Sequence, residues 1–340
     1  MTIPSLKPSC FYHPTEVIFL DDNRDFLNVL ELEFDKLNIL TLTDPDDTIK
    51  ILNDHNKEYF PRSVFTVLSD VNVDTTTNHS INFEVKNLLT IIYDKSRFTR
   101  IPVIIVDYEM PHINGMEFCQ KIKGKKISKI MLTAKANQET AINAFNNGLI
   151  DKFILKMDEN LYSKITSAVS ELTQQYFAEL SERVINGHCY HIKSLFNNPL
   201  YQQLFSRVKT KAQAIEYYLV DNLGSFLFLD KEANPTWLII RDNTAMKEGV
   251  DLLKGYDLPS NLIHSVEKNE KMLFLLSENE YKKPIGEWVE YLFDANKLDD
   301  NYYYSIIDDY LTDFVDWKRV VPFSKYIADK ANETAISIHQ

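Results

Sequence analysis

The amino-acid sequence predicts an α/β fold: a doubly wound five-stranded parallel sheet, followed by a long helix and a second, α+β domain. In the first half, five short apolar runs alternate with helical patterns, as is typical of a parallel sheet with crossover helices. The run at residues 103–106, VIIV, is rich in β-branched residues, as expected for a strand buried on both faces. A long apolar stripe of helical period follows the fifth run and separates the two halves of the chain.

Composition excludes several classes of protein. With 340 residues, 44% of them apolar and 25% charged, the chain is long enough for two or three globular domains. No apolar run reaches the roughly 18 residues of a membrane span, and residues 1–10 lack the features of a signal peptide, so we expect a cytoplasmic protein without a membrane partner. Three cysteines are too few for a disulfide framework. The net charge of −12 argues against nucleic-acid binding, although a local basic patch is sufficient for it.

The first strand is predicted at residues 17–20 and ends in the pair Asp21 and Asp22. Asn23 is a suitable N-cap for the helix that follows. The buried face of this helix is predicted to comprise Leu27, Leu30, Phe34 and Leu37.

The second strand, at residues 39–42, precedes Asp44 and Pro45, which form the cap and first turn of a second helix. The acidic residues that end the first and third strands then lie 85 positions apart (22 to 107), whereas the intervening elements need only about 45 residues. This excess predicts an insertion near residues 56–80, partly a surface loop, with a helical segment at 82–93 after it.

The third strand ends in Asp107. Pro111 then breaks the backbone, and Gly115 permits a tight turn before a helix that begins at Met116.

A fourth strand, at residues 130–132, ends in Thr133, and the helix after it has Gly148 as its C-terminal stop. A fifth strand, at residues 153–155, ends in Lys156.

Polar side chains thus follow four of the five strands: Asp21 and Asp22, Asp107, Thr133 and Lys156. The carboxyl ends of parallel strands share one edge of a sheet, so these side chains are expected to meet there. Three carboxylates in one place repel each other unless a hard divalent cation and an ammonium offset their charge, and Mg²⁺ suits such an oxygen-rich pocket. The pattern predicts a site for phosphoryl transfer to a carboxylate.

The sequence features that carry a resemblance are the pair Asp21 and Asp22, the D-x-x-M-P-x-x-N-G pattern of residues 107–115, the LTA of residues 132–134, and Lys156. In this order they resemble the receiver domain of response regulators, over residues 13–160. The resemblance implies a partner that donates phosphate from a phosphohistidine: a sensor histidine kinase or a phosphotransfer protein.

The resemblance also implies a role for each site residue. Asp107 would be the phosphoacceptor. Asp22 would bind Mg²⁺ together with Asp107 and the backbone carbonyl of Glu109, and Asp21 would reach the metal through water. Lys156 would pair with the acyl phosphate.

As a switch, the hydroxyl of Thr133 would move to the acyl phosphate and Phe153 would turn inward. Each site residue also has a structural alternative: the acidic pair can cap the first helix, and the lysine can be a solvated strand end. Their joint position at the strand ends favours the functional interpretation. Glu109 and Lys135 form a hypothetical pair that sets the lifetime of the acyl phosphate, with ordinary surface charge as the favoured alternative.

The predicted domain organisation is an N-terminal extension at 1–12, a receiver at 13–160, a connecting helix at 161–185 and an α+β output domain at 186–340. The apolar stripe of the connecting helix comprises Leu161, Ile165, Val169, Leu172, Tyr176, Leu180 and Val184. Its first half is expected to cover the sheet. Its second half is expected to pair with another protomer and so form a homodimer, or to dock on the next domain, with simple packing within one chain as the alternative.

The output domain is predicted to contain a β-meander and several helices. The predicted elements are strands at 217–220, 226–229 and 236–240, a helix at 244–254, a strand at 272–276, a helix from Pro284 that includes Leu292, and a helix within 302–314.

The output domain carries no recognisable enzyme motif, so no catalytic activity beyond that of the receiver is expected. His188, Cys189 and His191 could offer metal ligands, but a fourth ligand at suitable spacing is missing, and a loop or helix start is preferred. The basic cluster at 207–211 could engage nucleic acid, with a solvated surface as the alternative.

The whole chain is similar to the quorum-sensing response regulators of the Legionella type. This resemblance implies a phosphorylation-controlled regulator that can dimerise, with an output of nucleic-acid-binding character. We therefore expect a two-component response regulator that acts in signalling or gene regulation. The alternative is an output that binds a protein or a small ligand and no nucleic acid.

Overall fold

The computed structural model describes residues 7–34, 37–55, 65–69, 79–83, 85–134, 145–188, 190–255 and 260–338. Two compact units divide the chain. The parallel-sheet unit comprises Pro14–Phe60 and Lys95–Glu179, and the antiparallel-sheet unit comprises Met1–His13, Pro61–Asp94 and Leu180–Gln340.

The strands of the described residues, in chain order, are β1 (Phe11–Tyr12), β2 (Glu16–Leu20), β3 (Asn38–Leu42), β4 (Phe65–Ser69), β5 (His79–Phe83), β6 (Val103–Asp107), β7 (Ser128–Thr133), β8 (Lys152–Leu155), β9 (Glu216–Leu219), β10 (Phe226–Leu229), β11 (Pro235–Asp242), β12 (Lys271–Leu273), β13 (Leu292–Asp294), β14 (Asn296–Lys297) and β15 (Tyr302–Asp308).

The α-helices of the described residues are α1 (Arg24–Glu33), α2 (Pro45–His55), α3 (Gly115–Lys121), α4 (Leu161–His188), α5 (Tyr190–Phe196), α6 (Pro199–Lys211), α7 (Asn243–Lys254), α8 (Ser260–Glu267), α9 (Glu278–Tyr281) and α10 (Phe323–Ile338). Short 3₁₀ helices cover Val85–Tyr93, Lys95–Thr99 and Ile285–Tyr291.

The parallel-sheet unit is built on five strands in the order β3-β2-β6-β7-β8, all parallel. Alternate residues of β2 enter opposite faces: Val17 and Phe19 join one buried cluster, and Ile18 and Leu20 join another. Helices α1 and α4 contribute to the first cluster, whereas α2 and α3 contribute to the second. The predicted doubly wound parallel sheet is confirmed.

Helix starts in this unit follow the predicted caps. The side chain of Asn23 accepts a hydrogen bond from the backbone N–H of Phe26, at 3.1 Å, and α1 begins after it. Asp44 accepts the N–H groups of Asp46 and Asp47, both at 2.8 Å, so its carboxylate satisfies two donors that have no partner within the helix.

The predicted insertion contains a hairpin. Strands β4 and β5 pair antiparallel, with Phe65 opposite Phe83, while residues 70–78 lie outside the described part of the chain. The helical segment expected at 82–93 is wrong at its start, because Asn82 pairs with Thr66 in the hairpin. The rest of that segment is the 3₁₀ helix Val85–Tyr93, which lies against β9.

The long apolar stripe predicted after the fifth strand lies on helix α4. Leu161, Ile165, Val169 and Leu172 are buried in the first cluster of the parallel-sheet unit, as predicted for the first half of the stripe. Most of the helix predicted before Gly148 lies outside the described residues. Gly148 itself has a φ of 61°, a left-handed conformation that suits a helix end.

The antiparallel-sheet unit holds a six-stranded sheet in the order β1-β9-β10-β11-β15-β14. The predicted meander of β9, β10 and β11 is confirmed by their antiparallel pairing. Strand β1, from the N-terminal extension, adds to the edge of this sheet, with Phe11 opposite Tyr218. A separate small sheet pairs β12 with β13.

The helix predicted within 302–314 is wrong, because this segment begins with strand β15. Every residue of β15 pairs with a residue of β11, from Tyr302 opposite Asp242 to Asp308 opposite Thr236. Tyrosine and isoleucine favour strands, and pairing with a neighbouring strand outweighs an ambiguous local pattern. Leu292 is likewise the first residue of β13 and does not belong to a helix.

Two further observations concern the chain as a whole. None of the helices among the described residues combines the length and apolar character needed to cross a membrane. Cys10 and Cys119 are buried free thiols.

Candidate functional site

The polar residues predicted at the strand ends lie at one edge of the parallel sheet. Asp21 follows β2, Asp107 ends β6, Thr133 ends β7 and Lys156 follows β8. Backbone hydrogen bonds fix this edge: the N–H of Asp21 donates to Leu42, and the N–H of Lys156 donates to Thr133 at 2.8 Å. The sheet register therefore brings these side chains to the same place.

Three carboxylates cluster at this edge. Asp21, Asp22 and Asp107 each offer an oxygen, and these oxygens all lie within 4.8 Å of one another. Asp21 and Asp107 are only 3% and 4% exposed, whereas Asp22 is exposed. The cluster is thus buried on one side and open to solvent on the other.

Lys156 bridges the two buried carboxylates. Its Nζ lies 2.6 Å from Oδ2 of Asp21 and 2.8 Å from Oδ1 of Asp107, and its side chain is 18% exposed. The second oxygen of Asp21 accepts the backbone N–H of Asn23 at 3.0 Å. The ammonium therefore holds together the two acids that would otherwise repel each other.

Burial and charge shift the acid–base properties of this pair. Burial, together with the charge of Asp21, raises the pKa of Asp107 even though Lys156 opposes the change. Burial tends to lower the pKa of Lys156, but the hydrogen bonds and charges of Asp107 and Asp21 outweigh it and raise that pKa. The lysine is consequently a stable cation at neutral pH.

The donor set fits a hard divalent cation. One ammonium offsets only one of the three carboxylates, so excess negative charge stays at the site. Carboxylate oxygens with room for water are the ligands that Mg²⁺ prefers. Glu109, whose backbone carbonyl was assigned to the metal, lies in the exposed loop two residues after Asp107.

The loop after Asp107 is shaped by close packing. A Cβ atom on Gly115 would lie 2.2 Å from the backbone oxygen of Asp107 and 2.9 Å from Sδ of Met131. Gly115 is therefore required because the start of α3 lies against the end of strand β6. The left-handed residue of this loop is His112, with a φ of 69°.

The remaining predicted site residues have distinct positions. Thr133 is buried at the end of β7, and Phe153 in β8 is partly buried and packs against the second cluster of the parallel-sheet unit. Lys135 lies outside the described residues.

Phe26 also contacts the site, although it is not among the residues predicted from the sequence. Its ring centroid lies 4.8 Å from Nζ of Lys156, a cation–π distance. The helical pattern of α1 pointed to Leu27 and Leu30 as the buried face, and both are fully buried. Phe26 precedes that face by one residue, and nothing in the local pattern links it to a lysine that follows strand β8.

The second half of the chain contains two further groups of candidate residues, the possible metal ligands at 188–191 and the basic cluster at 207–211. His188, Cys189 and His191 lie outside the side chains that the structure describes. In the basic cluster, Lys211 pairs with Asp308 at 2.8 Å and Arg207 donates to the hydroxyl of Tyr304 at 3.1 Å.

Comparison with known proteins gives a family for part of the chain. The model of the response regulator receiver domain matches residues 78–166, which include β6, β7 and β8. The response regulator ArlR of Staphylococcus haemolyticus is 22% identical over 120 residues, which is 35% of this chain and 54% of that protein. The match thus spans about half the length of this relative.

A solved structure resembles nearly the whole chain. The response regulator LqsR of Legionella pneumophila superposes with a TM-score of 0.75 and 27% identity, over 96% of this chain and 97% of that one. The expected similarity to a Legionella response regulator is confirmed. Together with the family match and the five-stranded parallel sheet, it shows that this chain contains a response regulator receiver domain.

Proposed function

We propose that this protein is a cytoplasmic two-component response regulator that accepts a phosphoryl group on Asp107. The observation that carries the proposal is the buried Asp107, clustered with two further carboxylates and paired with Lys156. A sensor histidine kinase or a phosphotransfer protein would supply the phosphoryl group.

In the proposed reaction, a carboxylate oxygen of Asp107 attacks the phosphorus of a phosphohistidine. The bond between phosphorus and the imidazole nitrogen breaks, and the imidazole leaves with the bonding electrons. Burial favours this attack because a desolvated carboxylate of raised pKa is a stronger nucleophile than an exposed one.

Mg²⁺ would be held by Asp21, Asp22, Asp107 and the backbone carbonyl of Glu109, with Asp21 acting through water. When bound, it would supply positive charge to the phosphoryl oxygens. Lys156, already 2.8 Å from Asp107, would pair with the acyl phosphate once it forms. Charge neutralisation and positioning would account for most of the rate.

The output is controlled, in this proposal, through Thr133 and Phe153. Phosphorylation would draw the hydroxyl of Thr133 to the acyl phosphate and let Phe153 turn inward. These changes would shift an existing equilibrium between two arrangements of the protein.

The proposed domain organisation keeps an N-terminal extension at 1–12, a receiver at 13–160 with its insertion near 56–80, a connecting helix at 161–185 and an output domain at 186–340. From the resemblance to the quorum-sensing response regulators of the Legionella type, we propose that the regulator acts in quorum sensing, with homodimerisation as a further proposal.

Gene regulation through nucleic acid is one candidate output, and capture of a protein or small ligand is the other. The net charge of −12 favours the second, because an acidic protein repels a polyanionic partner. Binding of DNA or RNA that weakens steeply with salt would support the first candidate, and salt-insensitive capture of a partner protein would support the second.

The phosphoacceptor proposal is tested with radiolabelled acetyl phosphate and Mg²⁺. The wild-type chain should acquire an acid-stable, hydroxylamine-labile label, and Asp107→Asn should acquire none. Asp158→Asn is the matched control, because Asp158 is an acid of the same unit that pairs with Lys164 outside the cluster. A wild-type chain without label, or a label that persists in Asp107→Asn, would refute the proposal.

A further inference from the structure

Phe26 faces the catalytic lysine of the proposed reaction. Its ring centroid lies 4.8 Å from Nζ of Lys156, whose other contacts at this site are the carboxylates of Asp21 and Asp107. An ammonium has three N–H groups, and the two carboxylates account for two directions. The negative face of the aromatic ring is a suitable neighbour for the remaining side of the cation.

The ring is held in place by the segment that also supplies an acid of the site. Asp21 accepts the N–H of Asn23 at 3.0 Å, and Asn23 in turn accepts the N–H of Phe26 at 3.1 Å. The side chain of Phe26 packs against the buried cluster that includes Leu27 and Leu30. The carboxylate of Asp21 and the ring of Phe26 are thus fixed relative to each other, because these hydrogen bonds link them within the six-residue segment 21–26.

Lysine needs such a constraint more than most side chains. Its ammonium is strongly hydrated and lies at the end of a flexible chain of four carbons. When no side chain covers it, hydration therefore favours conformations in which the ammonium points into water. Lys156 is only 18% exposed, and Phe26 is itself partly buried. The ring therefore restricts both the hydration of the ammonium and the directions it can take.

We propose that Phe26 is a positioning residue for phosphoryl transfer, whose ring holds the ammonium of Lys156 toward Asp107. This inference rests on the proposed function of Asp107 as the phosphoacceptor. Phe26 itself would not touch the phosphoryl group. It would act through Lys156, by keeping the ammonium where negative charge develops on the phosphoryl oxygens.

The test measures the rate of labelling by acetyl phosphate and Mg²⁺ in the full-length chain. Phe26→Leu keeps an apolar side chain but removes the ring, and should slow labelling roughly fivefold. Phe26→Tyr and Phe26→Trp keep an aromatic face and should label within about twofold of the wild type. Packing alone would not give this order, because leucine is closer in size to phenylalanine than tryptophan is.

Two controls separate positioning from stability. Phe34→Leu removes another ring near the end of α1, where it stacks on Phe19, and should lower the stability without changing the labelling rate. In a Lys156→Gln background, Phe26→Leu should change the residual rate by less than about twofold, because the cation is gone.

The outcomes are distinguishable. A wild-type chain that takes no label overturns the phosphoacceptor proposal itself. If Phe26→Leu is labelled as fast as the wild type, the role of Phe26 is overturned. The same holds if Phe26→Leu lowers the labelling rate by an equally large factor in the Lys156→Gln background. Either result leaves the phosphoacceptor proposal standing. Should Phe26→Leu fail to fold, Phe26→Tyr and Phe26→Trp decide, since labelling slowed fivefold or more in both would contradict a role for the aromatic face.

Discussion

At the scale of single residues, Gly115 determines how closely α3 approaches the end of strand β6. Because a Cβ there would lie 2.2 Å from the backbone oxygen of Asp107, Gly115→Ala must displace backbone and should destabilise the fold by about 2 kcal/mol. Urea denaturation measures the change. Gly286→Ala is the control, because its added Cβ would meet no atom within 4 Å apart from the adjoining backbone, and it should leave the stability nearly unchanged. Equal stabilities for the two variants would contradict this account.

The ionised carboxylate of Asp107 lowers the free energy of unfolding when no metal ion is bound. Its pKa is raised above the ordinary value of 3.8 by burial and by Asp21, so ionisation is less favourable in the folded chain than in the unfolded one. The resulting destabilisation is absent well below pH 3.8, grows as the pH rises from 3.8 to the folded-state pKa, and is constant above that pKa. In metal-free buffer, Asp107→Asn should therefore raise the Tm at pH 7, and the gain should shrink in acid.

Asp158→Asn provides the contrast, because the hydrogen bond from Lys164 lowers the pKa of Asp158. This variant should not be stabilised at pH 7. Thermal unfolding of both variants between pH 3 and pH 8 checks the prediction, and a Tm of Asp107→Asn below that of the wild type at pH 7 would contradict it.

At the scale of secondary structure, the start of α1 depends on one side chain. Asn23 accepts the N–H of Phe26, and Asn23→Ala should cost about 1 kcal/mol of folding free energy. Asn23→Ser restores a cap and should recover most of that loss. Chemical denaturation distinguishes the variants. If alanine were as stable as serine at this position, the cap would not contribute.

The elements that could be predicted from sequence are those with a strong local signal. Apolar runs gave the five parallel strands, and Asn23 and Asp44 gave the starts of α1 and α2 because each cap is a local hydrogen bond. Strand β15 was missed because its partner, β11, lies about 60 residues earlier, and the aromatic run that forms it fits a helix or a strand equally well.

In the candidate site too, the residues with a clear sequence signal were predicted and a contact between distant parts of the chain was not. Asp21, Asp107 and Lys156 were predicted to meet because the ends of parallel strands share an edge, and the structure brings the ammonium of Lys156 within 2.8 Å of both carboxylates. Phe26 was not predicted, because its contact with Lys156 joins helix α1 to the residue that follows strand β8. Such a contact depends on packing, which the local pattern does not encode.

At the scale of the whole molecule, the N-terminal segment is part of the antiparallel sheet. Strand β1 pairs with β9, Phe11 is fully buried, and Ser9 shares a hydrogen bond of 2.9 Å with the hydroxyl of Tyr217. Phe11→Ala should therefore destabilise the antiparallel-sheet unit by about 3 kcal/mol.

Limited proteolysis checks this prediction, with faster cleavage expected within Leu180–Gln340 than in the wild type. Leu32→Ala, a change at a side chain that is 81% exposed, should have no such effect. Equal resistance of Phe11→Ala and the wild type would show that strand β1 is dispensable for the sheet.

In the proposed function, Asp107 carries the phosphoryl group. Its most direct test is reduction of the phosphorylated protein with borohydride, which converts an aspartyl phosphate to homoserine, followed by mass spectrometry of the peptides. We predict homoserine at Asp107 after treatment with acetyl phosphate and Mg²⁺, and none when Mg²⁺ is removed by a chelator. Homoserine at Asp21 or Asp22, or at no residue of the chain, would contradict the account.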